Sequence, residues 1–136
     1  LGVVRHWRHR LAAVGTVYEA AGGEEMFRRL VDRFYDGVEA DPVLRPLYPE
    51  PDLAGARQRL TLFLIQYWGG PQTYSQERGH PRLRLRHLPF SIGGEERDAW
   101  LRHMTEAVRS LRLAEPLSAE LLRYFEAASA AMINRS

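Results

Sequence analysis

Cysteine is absent from this 136-residue chain. That excludes a thiol nucleophile, a thiolate metal site and any disulfide, and it fits a reducing cytoplasmic setting. Lysine is missing too, so all nineteen basic side chains are arginines, the residue suited to planar two-point contacts with carboxylates. Long apolar runs are lacking: none approaches the roughly 20 residues of a membrane span. No glycine-rich phosphate loop and no serine nucleophile elbow occurs. The carboxylates are spread over expected solvent faces, which gives a paired-carboxylate site no support. The net charge of +2 is too small to point to nucleic acid.

The length suits one domain, which at this size buries roughly 70% of the surface of its unfolded chain. Residues 1–15 hold Arg5, His6, Trp7, Arg8, His9 and Arg10, followed by a thin, glycine-interrupted apolar stretch. They read as a flexible N-terminal arm rather than a signal peptide, with the folded domain over 16–136. His6 and His9 lack a third ligand nearby for a metal site.

Four long segments have helical periodicity. The first follows Gly22-Gly23, with Phe27, Leu30, Val31, Phe34, Tyr35 and Val38 on one face, and stops at Asp41-Pro42. The second starts near Asp52, a suitable N-cap, runs through Leu53, Ala56, Leu60, Phe63, Leu64 and Tyr67, and ends at Gly69-Gly70-Pro71. The third spans about Gly94 to Leu113, and the fourth begins at Ser118 with Leu121, Leu122, Phe125, Ala128 and Met132 on one side. A short helix is expected near Thr16 to Ala21. Nothing alternates cleanly with period two, so the fold class is all-α. Residues 69–93 form a long connection rich in arginine, in which 82–86 is expected to make a single helical turn.

Histidine is scarce enough to weigh residue by residue. His87, followed by Leu88-Pro89-Phe90, has the residue type that can bind iron through a neutral imidazole. A ligating histidine fixes its tautomer by donating its other N–H. On a short helix the acceptor four residues back is the carbonyl of Leu83. A partly buried loop histidine is the competing reading. His80 is expected to shape its loop and His103 to be solvated. Tyr35, Tyr48 and Trp100 are aromatic residues with polar tips. They are either ordinary core rings or hydrogen-bond donors converging on one cavity. The arginines from Arg78 to Arg86 could face phosphates with Tyr74, face haem propionates, or form a solvated charged run.

Several stretches together resemble a known family. They are Gly22-Gly23, Leu47-Tyr48-Pro49-Glu50, Gln66-Tyr67-Trp68-Gly69-Gly70-Pro71, Gly79-His80-Pro81-Arg82-Leu83-Arg84, Arg86-His87 with Pro89-Phe90, and Glu96-Arg97-Asp98-Ala99-Trp100-Leu101. Over residues 16 to about 133 the chain is similar to the group II, actinobacterial type of truncated haemoglobins. The resemblance implies a two-over-two helical sandwich around haem b. It makes His87 the proximal metal ligand and Tyr35, Tyr48 and Trp100 the ligand-binding residues. Ala56 takes the position where many globins have a distal histidine. Leu60, Phe63 and Leu64 become the distal haem wall, and Tyr67 continues their stripe against the cofactor. Arg59, Tyr74 and Arg86 become propionate or rim contacts, and Phe90 a proximal contact.

The function so implied is reversible binding of O2, CO and NO with slow oxygen release. Two charge-assisted hydrogen bonds of about 1.5–3 kcal/mol each would slow release by about two to four decades. The alternative is a haem enzyme acting on nitric oxide or peroxide with a reductase as electron donor. A haem-free helical module binding nucleic acid is the remote third reading. The expected partners are small ligands, with no nucleic acid and no membrane, and room for a homodimer.

Overall fold

The computed structural model describes residues 15–136. Residues 1–14 of the arm expected over 1–15, His6 and His9 among them, lie outside the described residues. Seven α-helices follow in order: α1 (Val17–Ala21), α2 (Gly23–Glu39), α3 (Ala54–Tyr67), α4 (Thr73–Arg78), α5 (Leu83–His87), α6 (Gly94–Ser110) and α7 (Leu117–Ala131). A 3-10 turn, Arg45–Leu47, lies between α2 and α3. There is no strand among the described residues, and none of their helices is long and apolar enough to cross a membrane.

α2 shows how the sequence makes its helices. Phe27, Leu30, Phe34 and Val38 recur at helical spacing, and all four are fully buried. Each such side chain contributes about 1.5–3 kcal/mol relative to leaving it in water. Glu24 and Glu25 occupy the first turn, where the helix dipole favours negative charge. α2 packs on α3 and on α6, and α6 packs on α7. These contacts join the pairs α2/α3 and α6/α7 into the two-over-two sandwich the resemblance implies. The fourth helix opens at Leu117, one residue before the expected Ser118.

α3 ends as its glycines suggest. Gly69 has φ 101°, the Gly70 N–H donates to the Ile65 carbonyl at 2.8 Å, and the Gly69 N–H donates to Gln66 O at 3.2 Å. This is a Schellman closure. A Cβ on Gly70 would lie 2.7 Å from Ile65 Cγ2 and 2.9 Å from the Tyr18 ring, so this residue is confined by contact as well.

Three features depart from the sequence reading. Asp52 does not cap α3 through the expected position: the residue at the cap is Leu53, although Asp52 Oδ1 accepts the Ala54 N–H at 2.9 Å. The stretch after Gly70 is not one loop with a single turn, because Thr73–Arg78 is also helical. His103 is not solvated, and the carboxylates do not all face water. Asp41 is 7% exposed, and its Oδ2 lies 2.6 Å from His103 Nε2 and accepts from Arg102 at 3.2 Å. Its Oδ1 accepts the N–H groups of Val43 at 2.8 Å and Leu44 at 3.4 Å. A Cβ on Gly37 would collide with the His103 ring, so the absence of a side chain there opens the space that the imidazole fills.

The His103 hydrogen bond holds the Asp41 carboxyl below the ordinary carboxylate range, helped by the two backbone N–H groups and opposed by burial. A depressed folded pKa means that the contribution of Asp41 is complete above the unfolded value of about 3.9. It is lost as pH falls through the lower, folded value. Asp41→Asn should therefore cost about 2–3 kcal/mol at neutral pH, the scale of a hydrogen bond to a charged group. It should also flatten the acid limb of stability against pH. Urea unfolding across the acid range checks both.

Candidate functional site

The helices enclose a cavity of about 600 Å³, within the range of small-molecule and cofactor sites. α3 supplies Ala56, Arg59, Leu60, Phe63 and Leu64 to its lining. α5 and the loop after it supply Arg86, His87 and Phe90, and Tyr74 comes from α4. Tyr35 of α2, Tyr48 after the 3-10 turn and Trp100 of α6 complete the set proposed from sequence. Of those thirteen residues, only Tyr67 does not line the cavity.

Tyr67 is 48% exposed. The α3 helix ends at this residue, and the glycine closure turns the neighbouring Trp68 inward instead, to 5% exposure. The Tyr67 ring lies on Tyr124 with centroids 4.2 Å apart and beside Phe63 at 6.1 Å. It supports two wall residues from behind. This corrects its assignment as a cofactor contact.

His87 is the last residue of α5. Its Nδ1 lies 2.6 Å from the Leu83 carbonyl oxygen, the partner the helical spacing suggests. A carbonyl can only accept, so Nδ1 carries the hydrogen and Nε2 keeps the lone pair a metal ion needs. No other hydrogen bond engages this ring among the described residues. His80 holds the turn before α5, its Nδ1 accepting the Arg82 N–H at 3.1 Å. Arg82 there has φ 43°.

The three polar-tipped aromatics meet. Tyr35 and Tyr48 pack edge to face at 5.5 Å between centroids, and Trp100 rests on Phe34 at 5.0 Å. Burial pushes the Tyr35 hydroxyl well above its ordinary value, and the charge of and hydrogen bond to Tyr48 add to the effect. Burial also raises Tyr48, but the neighbouring Tyr35 hydroxyl and Trp100 indole pull the other way. Both phenols therefore keep their hydrogens at neutral pH.

The rim of the cavity is basic. Arg59 pairs with Glu50 at 2.9 Å, so part of its charge is already answered. Arg86 donates to the Arg78 carbonyl at 2.8 Å and the His80 carbonyl at 3.4 Å. Arg78 and Arg86 both lie over the Tyr74 ring, at 5.9 and 5.8 Å. Neither forms an ion pair among the described residues, and the buried Arg86 Nε–H has no acceptor there. α4, which carries Tyr74, is held by a side chain of α3: Gln66 donates to Ser75 Oγ at 2.7 Å and accepts the Ser75 N–H at 2.9 Å.

These residues fit haem b. The walls are mostly apolar, as a porphyrin face requires. His87 offers an imidazole with its tautomer fixed, and the unanswered Arg86 Nε–H suits a propionate. Sequence reasoning missed Leu47, Ile92, Tyr124, Phe125, Ala128 and Met132, which also line the cavity. Phe125, Ala128 and Met132 stand on the apolar stripe assigned to the fourth helix. Periodicity marks such a stripe as buried without telling a core from a cavity wall.

A family model described as bacterial-like globin matches residues 16–134. The group 2 truncated haemoglobin YjbI of Bacillus subtilis (strain 168) is 42% identical over 119 residues, covering 88% of this chain and 89% of the relative. Among solved structures, a thermostable haemoglobin from the actinobacterium Thermobifida fusca is 62% identical with a TM-score of 0.86. That match covers 88% of this chain and 97% of the other. The haemoglobin of Chloroflexus aurantiacus, a thermophilic phototrophic bacterium, is 55% identical with a TM-score of 0.86, over 88% of this chain and 98% of the other. The chain therefore belongs to the bacterial-like globins, among the group II truncated haemoglobins, and its cofactor is haem b.

Proposed function

We propose that this haemoglobin reversibly binds O2, and also CO and NO, with His87 as the iron ligand and with slow release of oxygen. The observation that carries the reading is one cavity holding both His87, its Nδ1 hydrogen committed to Leu83, and the Tyr35–Tyr48–Trp100 cluster. Haem iron supplies the reversible bond to the diatomic ligand. The protein supplies the rest.

The Leu83 carbonyl orients the imidazole and raises its basicity. The apolar walls from α3 and α7 exclude water, which strengthens each polar contact inside. Tyr48 and Trp100 present an O–H and an N–H to an incoming polar ligand, with Tyr35 packed edge to face against Tyr48. Ala56 leaves room for small molecules beside Leu60. Arg86 and Tyr74 hold the rim, where Arg86 would meet a propionate.

An absorption spectrum of protein produced with haem available tests the reading. A Soret band at one haem per chain is expected, moving sharply on dithionite reduction and again on adding carbon monoxide. Protein that takes up no stoichiometric haem under those conditions would overturn it.

A further inference from the structure

α5 carries His87, yet it has only five residues and none of them is buried. A helix this short has no stability of its own in water. The burial that fixes the long helices is missing here, so hydrogen bonds from elsewhere in the chain must fix its position. They come largely from one place, the segment just after α7.

Asn134 is the only asparagine in the chain. Its Nδ2 donates to the His87 carbonyl at 3.3 Å and to the Phe90 carbonyl at 2.8 Å. Its Oδ1 accepts the Ile92 N–H at 2.9 Å. Its own backbone N–H and that of Arg135 donate to the Ile92 carbonyl at 2.8 and 3.2 Å. One amide side chain thus satisfies three backbone groups of the stretch that leaves the His87 helix. Arg84 of α5 also donates to the Ala131 carbonyl at the end of α7. Arg135 pairs with Glu96 at 2.6 Å, and Glu96 accepts the Gly93 N–H at 2.8 Å, which ties the same segment to the start of α6.

We infer that Asn134 is a positioning residue for His87: it holds the backbone on which the imidazole is mounted, and so sets how firmly and at what angle that imidazole meets iron. The inference rests on His87 being the ligand. Leu83 fixes the rotation of the ring, and Asn134 fixes the carbonyl of the residue that bears it. Without Asn134 the Phe90 carbonyl loses its side-chain donor, the His87 carbonyl keeps only the Phe90 N–H at 3.0 Å, and α5 is left with the Arg84 and Arg86 contacts and the packing of Leu83.

The test compares holoproteins of the wild type, Asn134→Ala, Asn134→Asp and Gly70→Ala. Asn134→Asp keeps the oxygen that accepts from Ile92 and loses both donors to His87 and Phe90. Gly70→Ala is a control for plain destabilisation, because it crowds Ile65 and Tyr18 at the end of α3 and touches nothing on α5. The readouts are the iron–histidine stretching band of the ferrous protein by resonance Raman, the rate of haem transfer to apomyoglobin, and the unfolding temperature. Both Asn134 variants are expected to shift or broaden the band. Both should release haem roughly tenfold faster, the scale of one lost hydrogen bond. Gly70→Ala should lower the unfolding temperature with the band unchanged. If the Asn134 variants match Gly70→Ala in band and in transfer rate at equal loss of unfolding temperature, Asn134 is only structural and the inference falls. A wild-type protein with no iron–histidine band would overturn the assignment of His87 itself, and this inference with it.

Discussion

His87→Gly should purify without stoichiometric haem, and added imidazole should restore the Soret band. The side chain removed is the only imidazole lining the cavity, and its Nδ1 hydrogen is committed to the Leu83 carbonyl. Losing a partner outside the metal's own ligands costs a site about 10–100-fold in affinity, so losing the ligand should cost more. Imidazole from solution can enter the space left by the ring and supply the same nitrogen. It lacks the tether to α5 and the Leu83 carbonyl, so restoration should need a large excess. The measurement is haem content and Soret absorbance against imidazole concentration. A variant that retains full haem without imidazole would place the ligand elsewhere in the cavity.

Trp100→Phe should release oxygen about ten- to hundredfold faster, the scale of one hydrogen bond to a charged or strongly polarised partner. The substitution keeps a ring against Phe34 and Phe125, so the cavity keeps its shape and loses chiefly the indole N–H. Tyr48→Phe should have a comparable effect, because that hydroxyl also lines the cavity. Tyr35→Phe should have less, because Tyr35 is buried whereas Tyr48 and Trp100 keep part of their surface open. Stopped-flow displacement of oxygen by carbon monoxide gives all three rates. An unchanged rate in Trp100→Phe would remove the indole from the account. The ranking of the two tyrosines tests which hydroxyl reaches the ligand, which a single variant would not.

Much of the site was legible because its physics is local. The stripe from Phe27 to Val38 needs only the helical repeat, and the end of α3 needs only two glycines. The pairing of His87 with Leu83 follows from a spacing of four residues. What escaped depends on contacts distant in sequence. α4 has a weak pattern of its own and is secured by Gln66, nine residues before Ser75. His103 sits among charged neighbours on its helix, yet it meets Asp41 from another helix across the space left by Gly37. Tyr67 fits the α3 stripe by spacing, but the helix stops there and the ring turns to Tyr124. Asn134 gives no sign of its partners, which lie 42 to 47 residues earlier. The family resemblance supplied most of the lining set, since the residues alone left His87 open between ligand and loop histidine.

The lack of any buried residue in α5 also bears on the thermodynamics of loading. Segments with few buried apolar contacts open first, so the amides of residues 83–87 should exchange with solvent well before those of α2 or α6. Ordering such a segment costs about 1–2 kcal/mol of backbone entropy per residue. That cost falls on cofactor capture rather than on the folding of the sandwich. The observed affinity for haem is then the intrinsic contact energy less the work of ordering its own ligand helix. A change that stiffens α5 in advance would tighten haem binding without adding a single contact to the porphyrin.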